Sequence, residues 1–138
     1  MSGFKDAVTA IENRMSANWT TTPVKYESVP FKETVAAYVA LFIRDGEGNQ
    51  ISLGGSTEPV VHRWPGVIIV QVFVPQDSSI RTAREYADGI GAIFHRAQFS
   101  SGGSGVITCR VPSVEMIGVR NGWLQANVTI PFHRDKQY

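Results

Sequence analysis

The sequence has little charge and a single cysteine, Cys109: only 18% of its 138 residues are Asp, Glu, Lys or Arg. One cysteine cannot form an intramolecular disulfide, and a chain of this length buries enough surface for one hydrophobic core without such a crosslink. The net charge of +1 lacks the basic excess typical of a dedicated nucleic-acid-binding protein. The first residues lack the basic and apolar regions of a signal peptide, and no apolar run is long enough to span a bilayer. We therefore expect one domain over residues 1–138, located by default in the cytosol of the cell that makes it.

The sequence also lacks recognisable catalytic and metal-binding motifs. Its three histidines occupy different predicted elements at no metal-ligand spacing: His62, His95 and His133. Cys109 belongs to an alternating apolar run, which predicts a core residue rather than a nucleophile. The glycine clusters at 46–48 and 102–105 lack the flanking residues and the strand-before-helix order of phosphate-binding loops. We therefore expect a protein that is not an enzyme and has no catalytic residue, no cofactor and no metal.

Two segments have helical periodicity. Residues 4–17 place apolar side chains on one face of a helix: Phe4, Val8, Ile11 and Met15. A second helix is predicted at about residues 80–97, after capping side chains at 77–79. Its predicted buried stripe comprises Ile80, Ala83, Ala87, Ile90 and Phe94. Gly89 and Gly91 are expected to let this helix approach a sheet closely.

The rest of the chain has the patterns of strands and turns. Strands are predicted at residues 24–27, 35–44, 50–53, 67–74, 106–111, 114–119 and 123–132. Pro65-Gly66 predicts a turn, and Asn121-Gly122 predicts a two-residue hairpin. Residues 133–138 are expected to form a polar tail. The pattern predicts an α+β fold, with a mixed, mostly antiparallel β-sheet, two helices packed on one face and a β-hairpin.

Two tryptophans lie next to predicted turns, Trp64 beside Arg63 and Trp123 near Arg120. Such residues either close the end of a core or anchor a protein interface, where Trp and Arg are enriched. Both interpretations remain open. The candidate assembly residues lie at predicted turns or strand ends: Arg44, Asp45, Glu47, Arg63, Trp64, Arg120, Asn121 and Trp123.

Five segments in a fixed order carry a family resemblance: AIENRMSANW, PVKYESVPF, GVIIVQVFVP, the helix AREYAD, and NGWLQANVTIPFHRD. Their order and spacing over residues 10–135 resemble the tail-terminator-like proteins of siphophages and related prophages. The chain departs from the family pattern at Leu124, where an aromatic residue is expected, and at Ser28, where Asn is expected. The family has no catalytic motif that these departures would remove.

The resemblance implies a homo-oligomeric ring, typically of six chains, at the head-proximal end of the tail of a virion assembled in a bacterial host. The ring stops polymerisation of the tail-tube protein and then offers a surface to the head–tail connector. DNA passes through its channel without specific binding, which suits a near-neutral chain. A ring of one chain needs a heterologous interface, expected on the flanks of the sheet. The loop 45–57 and the hairpin 120–123 are expected to contact the tube or the connector.

Two other interpretations remain open from the residues alone. One is a different phage structural role, as a head-completion, connector or tail-tube subunit. The other is a small enzyme or ligand-binding domain that uses Cys109 or His62.

Overall fold

The computed structural model describes residues 3–27, 29–31, 36–46, 48–50, 60–102 and 105–137. The two helices are α1 (Gly3–Asn18) and α2 (Ile80–Phe94). The strands are β1 (Val24–Tyr26), β2 (Tyr38–Asp45), β3 (Asn49–Gln50), β4 (Val61–Pro75), β5 (Gln98–Ser100), β6 (Val106–Cys109), β7 (Ser113–Arg120) and β8 (Trp123–Gln137). No helix among these residues is long and apolar enough to cross a membrane.

A pair of 15-residue strands forms the centre of the sheet. Strands β4 and β8 are antiparallel and pair along their whole length, from Val61 with Gln137 to Pro75 with Trp123. On its other side β4 pairs with β2 and β3, while β8 pairs with β6 and β7. Strand β1 extends the sheet parallel to β2, and β5 extends it beside β6. The predicted mixed, mostly antiparallel sheet is confirmed.

The core lies between the two helices and one face of this sheet. Cross-strand partners share a face, so the buried positions of β4 and β8 form one apolar surface. These positions alternate along both strands: Ile68, Val70, Val72, Val74, Leu124, Ala126, Val128 and Ile130. The predicted α2 stripe from Ala83 to Phe94 is buried against them, and the predicted α+β fold is confirmed. We call the opposite side of the sheet the open face.

The predicted helix faces are wrong at their first residues. Phe4 and Ile80 are about half exposed, whereas Ala7 takes the core position expected for Phe4. Both exposed residues lie in the first turn of their helices. Helix α2 is capped by Ser79, whose hydroxyl accepts from the backbone N–H of Arg81, and it ends at Phe94 rather than at residue 97.

The two glycines of α2 do not serve the predicted approach to the sheet. A side-chain carbon at Gly89 would lie 3.1 Å from the ring of Trp19, and one at Gly91 would lie 3.6 Å from Pro112. These neighbours belong to the end of α1 and to the connection between β6 and β7. The residues that follow α2 also form a strand, β5, that the sequence analysis did not predict.

The prediction of a turn at Pro65-Gly66 is wrong, because both residues lie inside β4. The carbonyl of Pro65 accepts a hydrogen bond from the N–H of Gly46, where the neighbouring chain passes from β2 to β3. Between the end of β2 and the start of β3, the neighbouring chain leaves a gap in the sheet beside Pro65. A strand residue directs its N–H and C=O to the same side, so the N–H that proline lacks would have pointed into this gap. Gly66 is needed because the ring of its partner Phe132 lies over it.

The expected polar tail is also wrong for the residues described. Residues 133–137 continue β8, pairing with β4 on one side and, up to Asp135, with β6 on the other. By contrast, the Asn121-Gly122 turn is confirmed, with positive φ angles of 52° and 83° at its two residues. Strand β6 ends at Cys109, which leaves Val111 exposed instead of in the core.

Candidate assembly surfaces

The candidate residues gather at two opposite ends of the central strand pair. Arg44, Asp45, Arg63 and Trp64 lie where β4 begins, and the β7–β8 hairpin with Trp123 lies where β4 ends. Eleven residues of extended strand separate Trp64 from Pro75, the partner of Trp123, which corresponds to about 36 Å. Glu47 and most of the loop 45–57 lie outside the described residues. The chain therefore presents two well-separated ends rather than one site.

A cation–aromatic stack occupies the first end. The guanidinium carbon of Arg134 lies 4.3 Å from the ring centroid of Trp64 and 5.5 Å from that of Phe4. His62 stacks on the same tryptophan, with the two ring centroids 5.9 Å apart. Arg134 is 1% exposed, which makes it the largest fully buried side chain among the described residues. The aromatic faces replace part of the hydration that this buried cation has lost.

The charge of Arg134 extends to the rim of the same end. Partial burial of the carboxyl group raises the pKa of Asp45, and the positive charge of Arg134 opposes that rise. Sequence analysis missed Arg134 because it assigned residues 133–138 to a tail. The signal was nevertheless present, since Arg134 continues the alternation of Ile130 and Phe132 on the core side of β8.

Arg63 points to the open face, away from Trp64, and its charge is paired. Its Nε and Nη2 atoms donate to the two carboxylate oxygens of Asp135, each at 2.8 Å. These hydrogen bonds hold the pKa of Asp135 below its usual value. His133 Nε2 lies 3.7 Å from the same carboxylate, and burial together with the Arg63 charge lowers the pKa of this histidine. The neighbouring predicted residues Arg63 and Trp64 therefore serve different surfaces.

Arg44 is also held by its own chain. It donates to both carboxylate oxygens of Glu27, at 3.0 and 3.1 Å, and Glu27 Oε1 also accepts from the backbone N–H of Ile43. The guanidinium carbon lies 5.7 Å from the ring centroid of Phe42. The side chain remains 58% exposed, so it is available to a partner while its direction is fixed.

An aromatic cluster closes the second end on the open face. Tyr38 contacts the rings of Phe31, Phe73 and Trp123, with centroid distances of 5.3, 4.9 and 5.2 Å. These contacts pack Trp123 against its own chain on the face opposite the core, so they do not support the interpretation in which it closes the core. Beyond the cluster, Arg120 and Asn121 are exposed at the tip of the hairpin. Nothing in the sequence pattern singled out Phe31 as a member of this cluster.

The described residues contain no group of three or more His, Cys, Asp and Glu side chains that could hold a metal ion. Cys109 is 2% exposed, and burial raises the pKa of its thiol to about 11. A buried thiol with so high a pKa is a poor nucleophile at neutral pH, which disfavours the enzyme interpretation based on Cys109.

Comparison with known proteins decides the family. The pattern of the phage tail terminator proteins matches residues 7–132, which is most of the chain. The chain belongs to this family. The predicted membership of the phage tail-terminator family is thereby confirmed. Because tail terminators are structural proteins, the family fits the expectation that this one is not an enzyme.

The fold of this tail terminator family member also occurs in solved structures. One such structure superposes with a TM-score of 0.74 over 97% of this chain and 96% of the other, at 18% sequence identity. An identity this low establishes a shared fold and nothing about function. No protein among those with curated functions matches the sequence.

Proposed function

We propose that this chain forms a six-membered ring that caps the head-proximal end of a siphophage tail tube. The ring stops polymerisation of the tube protein and then provides the surface on which the head is joined. The family match over residues 7–132 carries this proposal, because it names tail termination as the role. The protein is then a component of the virion tail.

The two separated ends of the sheet support a protein with two different partners. A terminator contacts the tube on one side and the head–tail connector on the other. Arg44 and Asp45 are exposed at one end, and Arg120 and Asn121 are exposed at the other, about 36 Å away along β4. Contacts to the tube and to the connector are therefore separable by mutation.

The charge distribution supports a channel that DNA crosses without specific binding. The chain has a net charge of +1, and on the open face Arg63 is neutralised by Asp135. Binding to DNA gains affinity chiefly from cations that neutralise phosphates. A ring of such chains holds the passing DNA weakly.

Capping is tested with tubes assembled from the purified tube protein of the same phage. Tubes are incubated with this protein, fresh tube subunits are added, and tube lengths are measured by electron microscopy. We expect elongation to stop once the tube ends are occupied. Tubes that elongate as they do without the protein would refute the proposal, and open-ended polymerisation of the protein itself would identify a tube subunit instead.

Two matched variants divide the roles of the two ends. Arg44→Gln and Arg120→Gln remove one exposed charge each, at opposite ends of the sheet. We expect one variant to lose capping and keep head joining, and the other to do the reverse. Equal loss of both functions in both variants would contradict the assignment of separate partners to the two ends.

A further inference from the structure

An apolar hollow lies on the flank of the sheet formed by β7 and α2. It has a volume of about 380 Å³ and lies between α2 and the segment that leads into β7. Small residues of α2 line one wall, and two exposed valines, Val111 and Val114, line the other. Val111 is 61% exposed and Val114 is 40% exposed, so two aliphatic side chains meet solvent in the same hollow. Asp88 supplies a carboxylate in the same lining.

The opposite flank, formed by β1, has the complementary combination. Strand β1 is the edge of the sheet farthest from β7, and beside it Val29 is 52% exposed. Val29 lines a smaller hollow of about 210 Å³ together with Lys25 and Phe42. Each flank therefore has an exposed valine in the same hollow as a charged residue, and Lys25 on the β1 flank has the opposite sign to Asp88 on the α2–β7 flank.

Both charges lack an ion-pair partner in the part of the chain that the structure describes. There, neither Asp88 nor Lys25 lies within 4.0 Å of an oppositely charged group. The carboxylate that also lines the β1 hollow does not compete for Lys25, because Glu27 is paired with Arg44. Lys25 is thus the cation that the lining of this hollow offers to an acidic partner.

We propose that a second copy of this chain occupies the α2–β7 hollow, with its Val29 against Val111 and Val114 and its Lys25 opposite Asp88. The proposal rests on the ring of the proposed function, since a closed ring of identical chains requires two different patches that meet in every interface. The two flanks lie at opposite edges of one sheet, so each chain offers one patch to each neighbour. Opposite charges at the rim set the register of the contact.

The test reverses each charge and then combines the two variants. Asp88→Lys places two lysines in the interface, and Lys25→Glu places two carboxylates there. We expect each variant to raise the midpoint concentration of self-association by roughly tenfold or more, because like charges then face each other. A 1:1 mixture of the two variants restores the oligomer, because each contact between unlike chains pairs opposite charges again. Light scattering after size exclusion reports the mass in each case.

Matched controls separate this contact from effects of net charge. Asp77→Lys and Lys5→Glu make the same charge changes at exposed positions outside both hollows, and we expect the wild-type midpoint for each. Unchanged circular dichroism, and a melting temperature equal to that of the wild type at a concentration where both are dissociated, exclude unfolding. A wild-type oligomer that neither reversal weakens would refute the proposed contact and leave capping intact, since capping is measured on tubes. Weakening without rescue in the mixture, or a wild-type chain that stays monomeric at its highest soluble concentration, would also refute the contact.

Disulfide crosslinking tests the apolar part of the contact. The native thiol is buried, so cysteines introduced by Val29→Cys and Val111→Cys in one chain are the reactive ones. We expect oxidation to give a ladder of linked chains on a non-reducing gel that ends at the ring number. Val119→Cys in place of Val111→Cys puts an exposed cysteine on β7 outside the hollow and should give no ladder. Equal ladders from both pairs would contradict the proposed contact.

Discussion

Replacing Gly66 by alanine is predicted to destabilise the protein, although glycine is usually the poorer residue inside a strand. The side-chain carbon that this substitution adds would lie 2.7 Å from Cε1 of Phe132 and 2.9 Å from the backbone oxygen of Arg44. Real side-chain carbons essentially never approach a neighbour this closely, so the ring and the adjacent strand must both move. Overpacking of this kind costs about 1–3 kcal/mol.

The same substitution in α2 provides the matched control. An added carbon at Gly91 meets Pro112 at 3.6 and 3.7 Å, which is ordinary van der Waals contact. Alanine is favoured over glycine in a helix by about 0.8–1.0 kcal/mol, so Gly91→Ala is expected to stabilise the protein. The free energies of unfolding of the two variants should therefore differ by roughly 2–4 kcal/mol.

Urea unfolding below the onset of self-association measures both effects, because self-association also stabilises the folded state and Gly91 lines the α2–β7 hollow. Adding Phe132→Leu to Gly66→Ala removes the ring but not the contact with Arg44. The double variant is expected to lose less than the sum of the single losses, with a coupling of about 1 kcal/mol. Wild-type stability in Gly66→Ala, or strictly additive losses, would refute the packing argument.

Three further predictions follow from individual contacts. Asp135→Asn breaks the bidentate pair with Arg63 and, since both side chains are partly exposed, costs about 1 kcal/mol at neutral pH. Because the pKa of Asp135 is lowered from 3.8, this contribution to the free energy of unfolding is present above pH 3.8 and disappears as the pH falls through the folded-state pKa. A difference in the free energy of unfolding between wild type and variant that persists in strong acid would contradict this prediction. Cys109 is expected to react with a thiol reagent at pH 8 only as fast as the protein unfolds, so rapid reaction of the native protein would disprove its burial. Ser79→Ala removes the cap of α2 and is expected to cost about 1 kcal/mol in the same urea assay, whereas an unchanged midpoint would show that the cap is dispensable.

The sequence pattern predicted the fold where packing follows periodicity. The spacing of Ile11 and Met15 and the apolar stripe from Ala83 to Phe94 both identified buried positions correctly. Asn121-Gly122 identified its hairpin because both residues need positive φ. In these cases the local preference and the tertiary structure agree.

The predictions failed where a tertiary partner overrides the local signal. Pro65-Gly66 has the composition of a turn, but the strand continues because the missing N–H faces a gap and Phe132 covers the glycine. Residues 133–137 are polar, yet β4 pairs with all of them and β6 pairs with those up to Asp135. No local pattern shows that Phe132 covers Gly66 or that β4 and β6 lie on either side of residues 133–135. Only the alternation that continues from Ile130 and Phe132 to Arg134 indicated that the strand goes on.

The sequence pattern indicated which positions belong to the candidate surfaces, but not which face of the sheet each side chain lies on or which residues it contacts. Arg63 and Trp64 are adjacent in sequence, but strand alternation sends them to opposite faces. Arg63 also meets Asp135, which lies 72 residues away. Contacts of such long range depend on register, and a single sequence does not reveal register.

The central position of β8 determines when the sheet is completed during translation. Strand β8 follows the other seven strands in the chain, yet β4 on one side and β6 and β7 on the other pair through it. Until the ribosome has released β8, these strands have no common neighbour, and the most distant pair, Val61 with Gln137, joins residues 76 positions apart. Nascent chains therefore have at most separate parts of the sheet, such as β1–β2–β4, and the sheet is completed only after β8 has been synthesised.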